Sequence, residues 1–181
     1  MLYHIKHAIV PNKFCDDVIS QGEEKDLKKA KIQEGNQTSR SSDVSWLDEE
    51  KLGTSLTNLI MIANKESGWN YSLKEFEPLQ YTIYNKDDYY GWHIDNHKKP
   101  YDNGMVRKLS FTLCLNEDYE GGEFSFCIPH PIAEKTKIEK IEKPKKGTMI
   151  VFPSYTWHKV DKVTSGVRKT LVGWVVGQQW S

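Results

Sequence analysis

The sequence predicts a mostly β protein in which flanking helices pack on one sheet of a β-sandwich or barrel. Three observations carry this. From Pro78 onward the chain breaks into short apolar runs separated by turn-prone segments. The first half holds two stretches whose apolar residues recur at helical spacing. Aromatic residues make up 12% of the chain, a supply that suits packed strands better than a disordered polymer. A length of 181 residues is enough for one domain with a real core, and no internal repeat or linker divides it.

Taken in order, Pro11 to Gly22 opens with a helix carrying Phe14, Val18 and Ile19 on one face. Gly35 to Asp43, rich in Asn, Ser, Thr and Gln, reads as a loop, or as a loop leading into a short strand. From about Asp48, Leu52, Leu56, Leu59, Ile60 and Ala63 mark a stronger helix. Asp48, Glu49 and Glu50 suit the positive end of its dipole, and it should stop near Ser67-Gly68. Strands are expected at Leu79–Tyr84, Gly91–Asp95, Leu109–Leu115, Glu123–Phe126, Met149–Phe152, Trp157–Val160 and Thr170–Val176. Segments such as Asn85–Asp88, Pro144–Gly147 and Thr164–Gly166 supply the turns. Helical support thus covers about 11–68 and the β core about 78–177 of a single domain over 1–181. Two segments are too polar for the core. Asn96–Asn103 is a solvated loop or a mobile lid beside a site, and His130–Lys146 reads as a solvated loop.

Lys plus Arg and Asp plus Glu number 25 each, so the formal net charge is zero. That balance offers no overall attraction to nucleic acid or anionic membrane, although a local basic patch stays open. Cys15, Cys114 and Cys127 are odd in number and widely spaced, which argues against a disulfide framework or a zinc site. Three free thiols imply a reducing compartment. Met1–Val10 is too short and polar for a secretory leader, and no apolar run approaches a membrane span. A soluble, cytoplasmic protein is the expectation.

The chemistry centres on His93-Ile94-Asp95. In an extended strand, residues two apart share a face, so His93 and Asp95 can reach one metal while Ile94 points away. The triplet alone is common, and it needs a third ligand from elsewhere. His158 is the candidate, just past a turn after an apolar strand. Two imidazoles and one carboxylate leave positions open on the metal, an arrangement suited to iron(II) oxygenases; 2-oxoglutarate would take two of these positions and O2 a third. The far carboxylate of 2-oxoglutarate needs a fixed cation. Arg168 lies ten residues beyond His158, and if His158 sits late in one strand, Arg168 starts its antiparallel neighbour.

The segment from about Leu79 to Trp174 resembles the catalytic core of the prolyl 4-hydroxylase-like 2-oxoglutarate/iron(II) oxygenases. It is especially similar to small bacterial and phage members, including the PKHD-type hydroxylases. The matching elements are Tyr84, Tyr90-Gly91-Trp92-His93-Ile94-Asp95, Arg107-Lys108-Leu109-Ser110, Tyr119-Glu120-Gly121-Gly122-Glu123-Phe124, Gly147, Phe152-Pro153-Ser154, His158-Lys159-Val160, Val163 to Arg168, and Trp174. Upstream, Arg40-Ser41-Ser42 followed by Trp46-Leu47 resembles the family's Arg-x-Ser strand. The resemblance implies a double-stranded β-helix, or jelly roll. It also implies iron(II) on His93, Asp95 and His158, and the 2-oxoglutarate C5 carboxylate on Arg168. Tyr84 would hydrogen-bond the co-substrate, and Trp174 would line the substrate side. O2 is the oxidant, with ascorbate as an accompanying reductant. Collagen-type members carry Lys where Arg168 stands. Cys114 departs from the pattern, since some members have a second tyrosine there for the C5 carboxylate.

Plainer readings stand beside these. His4, His7, His97 and His130 read as lone exposed histidines, and Trp92 as strand packing. Tyr84 and Trp174 could be core filling, and Gly121-Gly122 only a tight turn. Arg40 is either a structural ion-pair partner or a substrate contact. The expected activity is hydroxylation of a C–H bond, with a prolyl residue in a peptide or protein as first substrate. The same chemistry on a free amino acid or small metabolite, a jelly-roll binding module without catalysis, and nucleic-acid demethylation are the alternatives. Oligomeric state is not legible.

Overall fold

The computed structural model describes residues 1–30, 39–97, 99–128 and 136–179, with the side chains of 49–51 outside the description. In chain order the elements are β1 (His4–Lys6), α1 (Asn12–Glu23), β2 (Lys28–Lys29), β3 (Arg40–Ser41), β4 (Asp43–Leu47) and α2 (Glu49–Glu66). There follow β5 (Glu75–Phe76), β6 (Leu79–Tyr84), β7 (Tyr89–His93), β8 (Met105–Cys114), β9 (Tyr119–Gly121) and β10 (Phe124–Ile128). The last are β11 (Lys137–Ile141), β12 (Met149–Pro153), β13 (His158–Val160), β14 (Val163–Gly166) and β15 (Arg168–Gln178). Among the described residues, the larger sheet has the order β1-β12-β8-β15-β6-β4-β2 with β5 added on β15, and the smaller runs β11-β10-β13-β7-β3. Every pairing is antiparallel, and β9 and β14 form a separate pair.

Strand alternation divides the large sheet into two chemistries. On one face Leu79, Tyr81, Leu109, Phe111, Leu113, Met149, Val151, Leu171 and Val175 join Cys15 and Val18 of α1 and Leu52, Leu56 and Ile60 of α2 in one buried cluster. On the other face Tyr84, Ile150 and Phe152 meet Phe124, Phe126 and Val160 of the small sheet in a second cluster. Helices therefore cover one face and the small sheet covers the other, as the mostly β reading with flanking helices expects. Each fully buried Leu or Phe contributes about 1.5–3 kcal/mol. Helix α1 comes unusually close to β6. A Cβ on Gly22 would stand 2.3 Å from the Tyr81 ring, so the glycine is what admits that approach. Helix α2 ends where Asn64 exchanges hydrogen bonds with the backbone of Tyr71, just past Gly68 at φ +72.

Several expectations need correction. The polar stretch after His130 is not all loop, because Lys137–Ile141 forms edge strand β11 on β10, with Ile141 buried. Its polarity belongs to an edge with one solvated side. His4 is not exposed; as part of β1 on the rim of the large sheet it lies against Ser67 and Glu66. Residues 35–38 of the expected loop and 130–135, His130 included, fall outside the described residues. No helix among the described residues is long and apolar enough to cross a membrane.

Candidate active site

Strands β7 and β13 are neighbours, and their register sets His93 directly opposite His158. The two imidazoles lie with centroids 4.1 Å apart. Asp95 reaches the same point by a different route from that expected. Strand β7 ends at His93, and Ile94 and Asp95 lie beyond it. The backbone N–H groups of Asp95 and Asn96 both donate to the Ser154 carbonyl, at 2.9 and 3.1 Å, so the chain bends around the end of β12 instead of continuing the ladder. As a result Ile94 also lines the cavity. The two carboxylate oxygens of Asp95 each stand 3.6 Å from a histidine Nε2, one on His93 and one on His158. All three donor groups fall within 4.8 Å of one another.

The tautomers follow from the partners. His93 Nδ1–H donates to the Gly91 carbonyl and His158 Nδ1–H to the Thr156 carbonyl, both at 2.8 Å. A carbonyl can only accept, so each Nδ1 carries a proton and each Nε2 faces Asp95. Tyr90 stacks on His93 at 3.5 Å, and Phe152 packs on His158 at 4.6 Å. Burial, with His158 adding to it, holds the His93 pKa down to about 3, so the ring is neutral. Burial pushes Asp95 the other way, but the two histidines and Arg107 outweigh it and bring its pKa to about 2. For His93 and Asp95, a neutral imidazole and an ionised carboxylate are the forms that bind a metal.

The opposite wall belongs to the large sheet. Arg168, Thr170, Val172 and Trp174 alternate down β15 onto the cavity face, beside Tyr84 and Gln80 of β6. The cavity holds about 280 Å³. Arg168 is therefore not on the strand next to His158: β15 pairs with β6 and β8, in the other sheet, and the arginine faces the triad across the cavity. The nine intervening residues make the rest of β13, β14 and the crossover between sheets. Arg168 is 3% exposed, its guanidinium lies 5.3 Å from the Tyr84 ring, and no carboxylate among the described residues is within ion-pair distance. Arg168 Nε, Thr170 Oγ1 and Trp174 Nε1 are buried without partners. A buried cation and a row of unmet donors on one wall are what a bound dianion with carbonyl and carboxylate oxygens would satisfy.

The family model described as the 2OG-Fe(II) oxygenase superfamily matches residues 79–176. The chain belongs to that superfamily. Among its relatives, a PKHD-type hydroxylase of Picosynechococcus sp. is 40% identical over 109 residues, 59% of this chain and 44% of that protein. Another, of Synechococcus sp., is 42% identical over 90 residues, 49% of this chain and 36% of that protein. The alignments thus span less than half the length of these relatives. In fold, the chain is similar to a Pseudomonas putida prolyl-4-hydroxylase, with a TM-score of 0.71 at 17% identity, covering 98% of this chain and 93% of that one. It is also similar to a Trichoplax adhaerens prolyl hydroxylase solved with a hypoxia-inducible factor peptide, with a TM-score of 0.72 at 18% identity, covering 96% of this chain and 82% of that one. These likenesses bear out the jelly-roll core. The superfamily's cofactors are iron(II) and 2-oxoglutarate, with O2, and the donor set fits them: His93, Asp95 and His158 could hold the metal and Arg168 the far carboxylate.

Arg107 lines the cavity with no role assigned to it from the sequence. Arg107 Nε and Nη2 grip the Glu77 carboxylate at 2.8 and 2.5 Å, and Nη1 donates to the Asp95 carbonyl at 3.2 Å. The same guanidinium lies 4.0 Å over the Trp174 ring. His97, expected to be exposed, is half-buried on the cavity and bonded to the Tyr101 hydroxyl, which donates to Glu77. Arg40 donates to Ser42 Oγ and Gln80 Oε1 and lies over Tyr90, so its partners here are neutral. Arg107 sits in a quoted motif, but its partner Glu77 is thirty residues earlier, and no periodicity joins them.

Proposed function

We propose that the chain is a hydroxylase that uses iron(II), 2-oxoglutarate and O2 to convert a C–H bond to C–OH, with a prolyl residue of a peptide or protein as substrate. One observation carries the reading: His93, Asp95 and His158 on one wall of a cavity face an unpaired Arg168 on the other. The bound iron and 2-oxoglutarate supply the oxidation, with succinate and carbon dioxide leaving. The chain's residues do the rest. His93 and His158 present Nε2, and their carbonyl-bonded Nδ1 fixes ring orientation. Arg168 gives the far carboxylate a two-pronged partner beside Tyr84. Tyr90, Phe124 and Phe152 keep water from the ring edges. Trp174 and Arg107 flank the place for the substrate.

A peptide is favoured over a free amino acid by Trp46. It lines the same cavity, 6.3 Å from Trp174, yet is 51% exposed, so the cavity opens to the surface beside an aromatic wall. The prolyl hydroxylases of similar fold support proline as the target. The free thiols of Cys15, Cys114 and Cys127 support a cytoplasmic setting. The test is succinate formation by the purified protein with iron(II), 2-oxoglutarate and ascorbate, offered prolyl peptides, free proline and other amino acids. The expected result is stimulation by a prolyl peptide, with one added oxygen on its proline. Stimulation by free amino acids alone would replace the peptide reading. Neither 2-oxoglutarate binding nor succinate under any condition would leave a non-catalytic jelly roll.

A further inference from the structure

Arg168 has a neighbour that is not among the residues lining the cavity. Tyr119 is 3% exposed and opens β9. Strand β9 pairs with β14 in a register that sets Tyr119 opposite Gly166, two residues before Arg168 begins β15. This small pair delivers the chain to the arginine. The Tyr119 hydroxyl faces the Arg168 side chain, and its other polar neighbour is Cys114 Sγ at 3.9 Å. The Cys114 thiol is itself directed at the carbonyls of Asn116 and Pro144, at 3.1 and 3.3 Å. Next along the chain, Gly122 adopts φ +64, and a Cβ there would stand 2.8 Å from Arg168 Cδ and 3.0 Å from Val163 Cγ2. The arginine is thus bounded by the Tyr84 ring, the Gly122 backbone and the Tyr119 hydroxyl.

We propose that Tyr119 is a positioning residue for the co-substrate: its hydroxyl holds the Arg168 guanidinium turned toward the far carboxylate of 2-oxoglutarate, with Gly122 making room for the arginine stem. The inference rests on the oxygenase reading above. The chemistry of the contact is what recommends it. A carboxylate behind Arg168 would neutralise the cation and compete with the ligand's own carboxylate. A phenol orients the guanidinium and leaves its full charge for the ligand. Burial pushes the Tyr119 pKa up to about 12, so the phenol stays neutral through the physiological range. Cys114, pointed at two carbonyls, does not serve in its place.

The test uses the whole chain loaded with Mn(II) in the absence of oxygen. Binding of 2-oxoglutarate and of 2-oxobutanoate is measured by calorimetry for the parent and Tyr119→Phe. Both ligands have the chelating 2-oxo acid, but only the first has a second carboxylate. Removing one hydrogen bond to a charged group should weaken 2-oxoglutarate roughly tenfold. Affinities for 2-oxobutanoate and for Mn(II) should not change, nor should the melting temperature. Undiminished binding of 2-oxoglutarate by Tyr119→Phe overturns the proposal. Equal weakening of both ligands also overturns it, since that is the signature of a general packing role. A parent that binds neither ligand sinks the oxygenase reading itself, and this inference with it.

Discussion

Changing Glu77 to Gln isolates the charge that compensates Arg107. The pair is largely buried, with side chains 14% and 18% exposed, and it is bidentate. Glutamine keeps the volume and one acceptor for the Tyr101 hydroxyl, and removes the charge. Removing one partner of a buried pair costs about 3–5 kcal/mol, because the other charge is left uncompensated. The retained acceptor and the residual exposure place this case near the lower end, about 3 kcal/mol. For a chain of this size each kcal/mol lowers the melting temperature by about 2–4 °C, so a fall of roughly 6–12 °C is expected in thermal or urea unfolding. The effect should also reach the metal site. Arg107 Nη1 donates to the Asp95 carbonyl, so a displaced guanidinium should weaken Mn(II) binding several-fold. Replacing both partners, Glu77→Leu with Arg107→Met, should recover most of the stability, since no lone charge is then buried. A loss below about 0.5 kcal/mol in Glu77→Gln, within the range of ordinary surface changes, would show that Arg107 is balanced by Asp95 or by solvent and refute the assignment.

Three further outcomes follow from the same geometry. His158→Ala should retain its fold by circular dichroism, and should lose Mn(II) affinity by more than the roughly 10–100-fold typical of losing an outer-shell partner. Arg168→Ala should lose nearly all affinity for 2-oxoglutarate in calorimetry, while Arg168→Lys retains part of it as a point charge without the fork. All three thiols should titrate under denaturing, non-reducing conditions. In the native protein Cys127, half-buried, should react before Cys15 and Cys114, which are buried; burial also pushes the Cys15 pKa up to about 11.

Legibility in the sequence tracked how local the controlling physics is. Leu79–Tyr84 stands where its apolar run and flanking turn residues put it, and both helices begin and end within about two residues of their expected bounds, because spacing and turn residues are local signals. The three donors of the candidate metal site were legible as residues, but not the reason they meet. The same-strand argument for His93 and Asp95 fails, since Asp95 is held by the Ser154 carbonyl on the far side of a turn. The neighbour-strand argument for Arg168 fails because the chain crosses to the other sheet after β14. β1 and β11 escaped because short edge strands carry little apolar signal. Glu77 with Arg107, and Tyr119 with Arg168, are contacts between distant segments that no window along the chain can join.

One property of the large sheet ties these observations together. On β6 and β15 the same parity of residue faces the cavity: Gln80 and Tyr84, and Arg168, Thr170, Val172 and Trp174; β8 adds Arg107, Phe111 and Thr112. The opposite parity, including Tyr81, Leu113, Leu171 and Val175, is buried against the helices. A slip of one residue in β15 would place Arg168 among Leu, Tyr and Ile side chains and bring Leu171 to the candidate anion-binding wall. The cost of burying that cation unpaired, several kcal/mol or more, opposes the slip as strongly as the lost apolar packing does. Core packing and the ligand wall therefore specify the same register. The helices, remote from the chemistry, help to fix where Arg168 points.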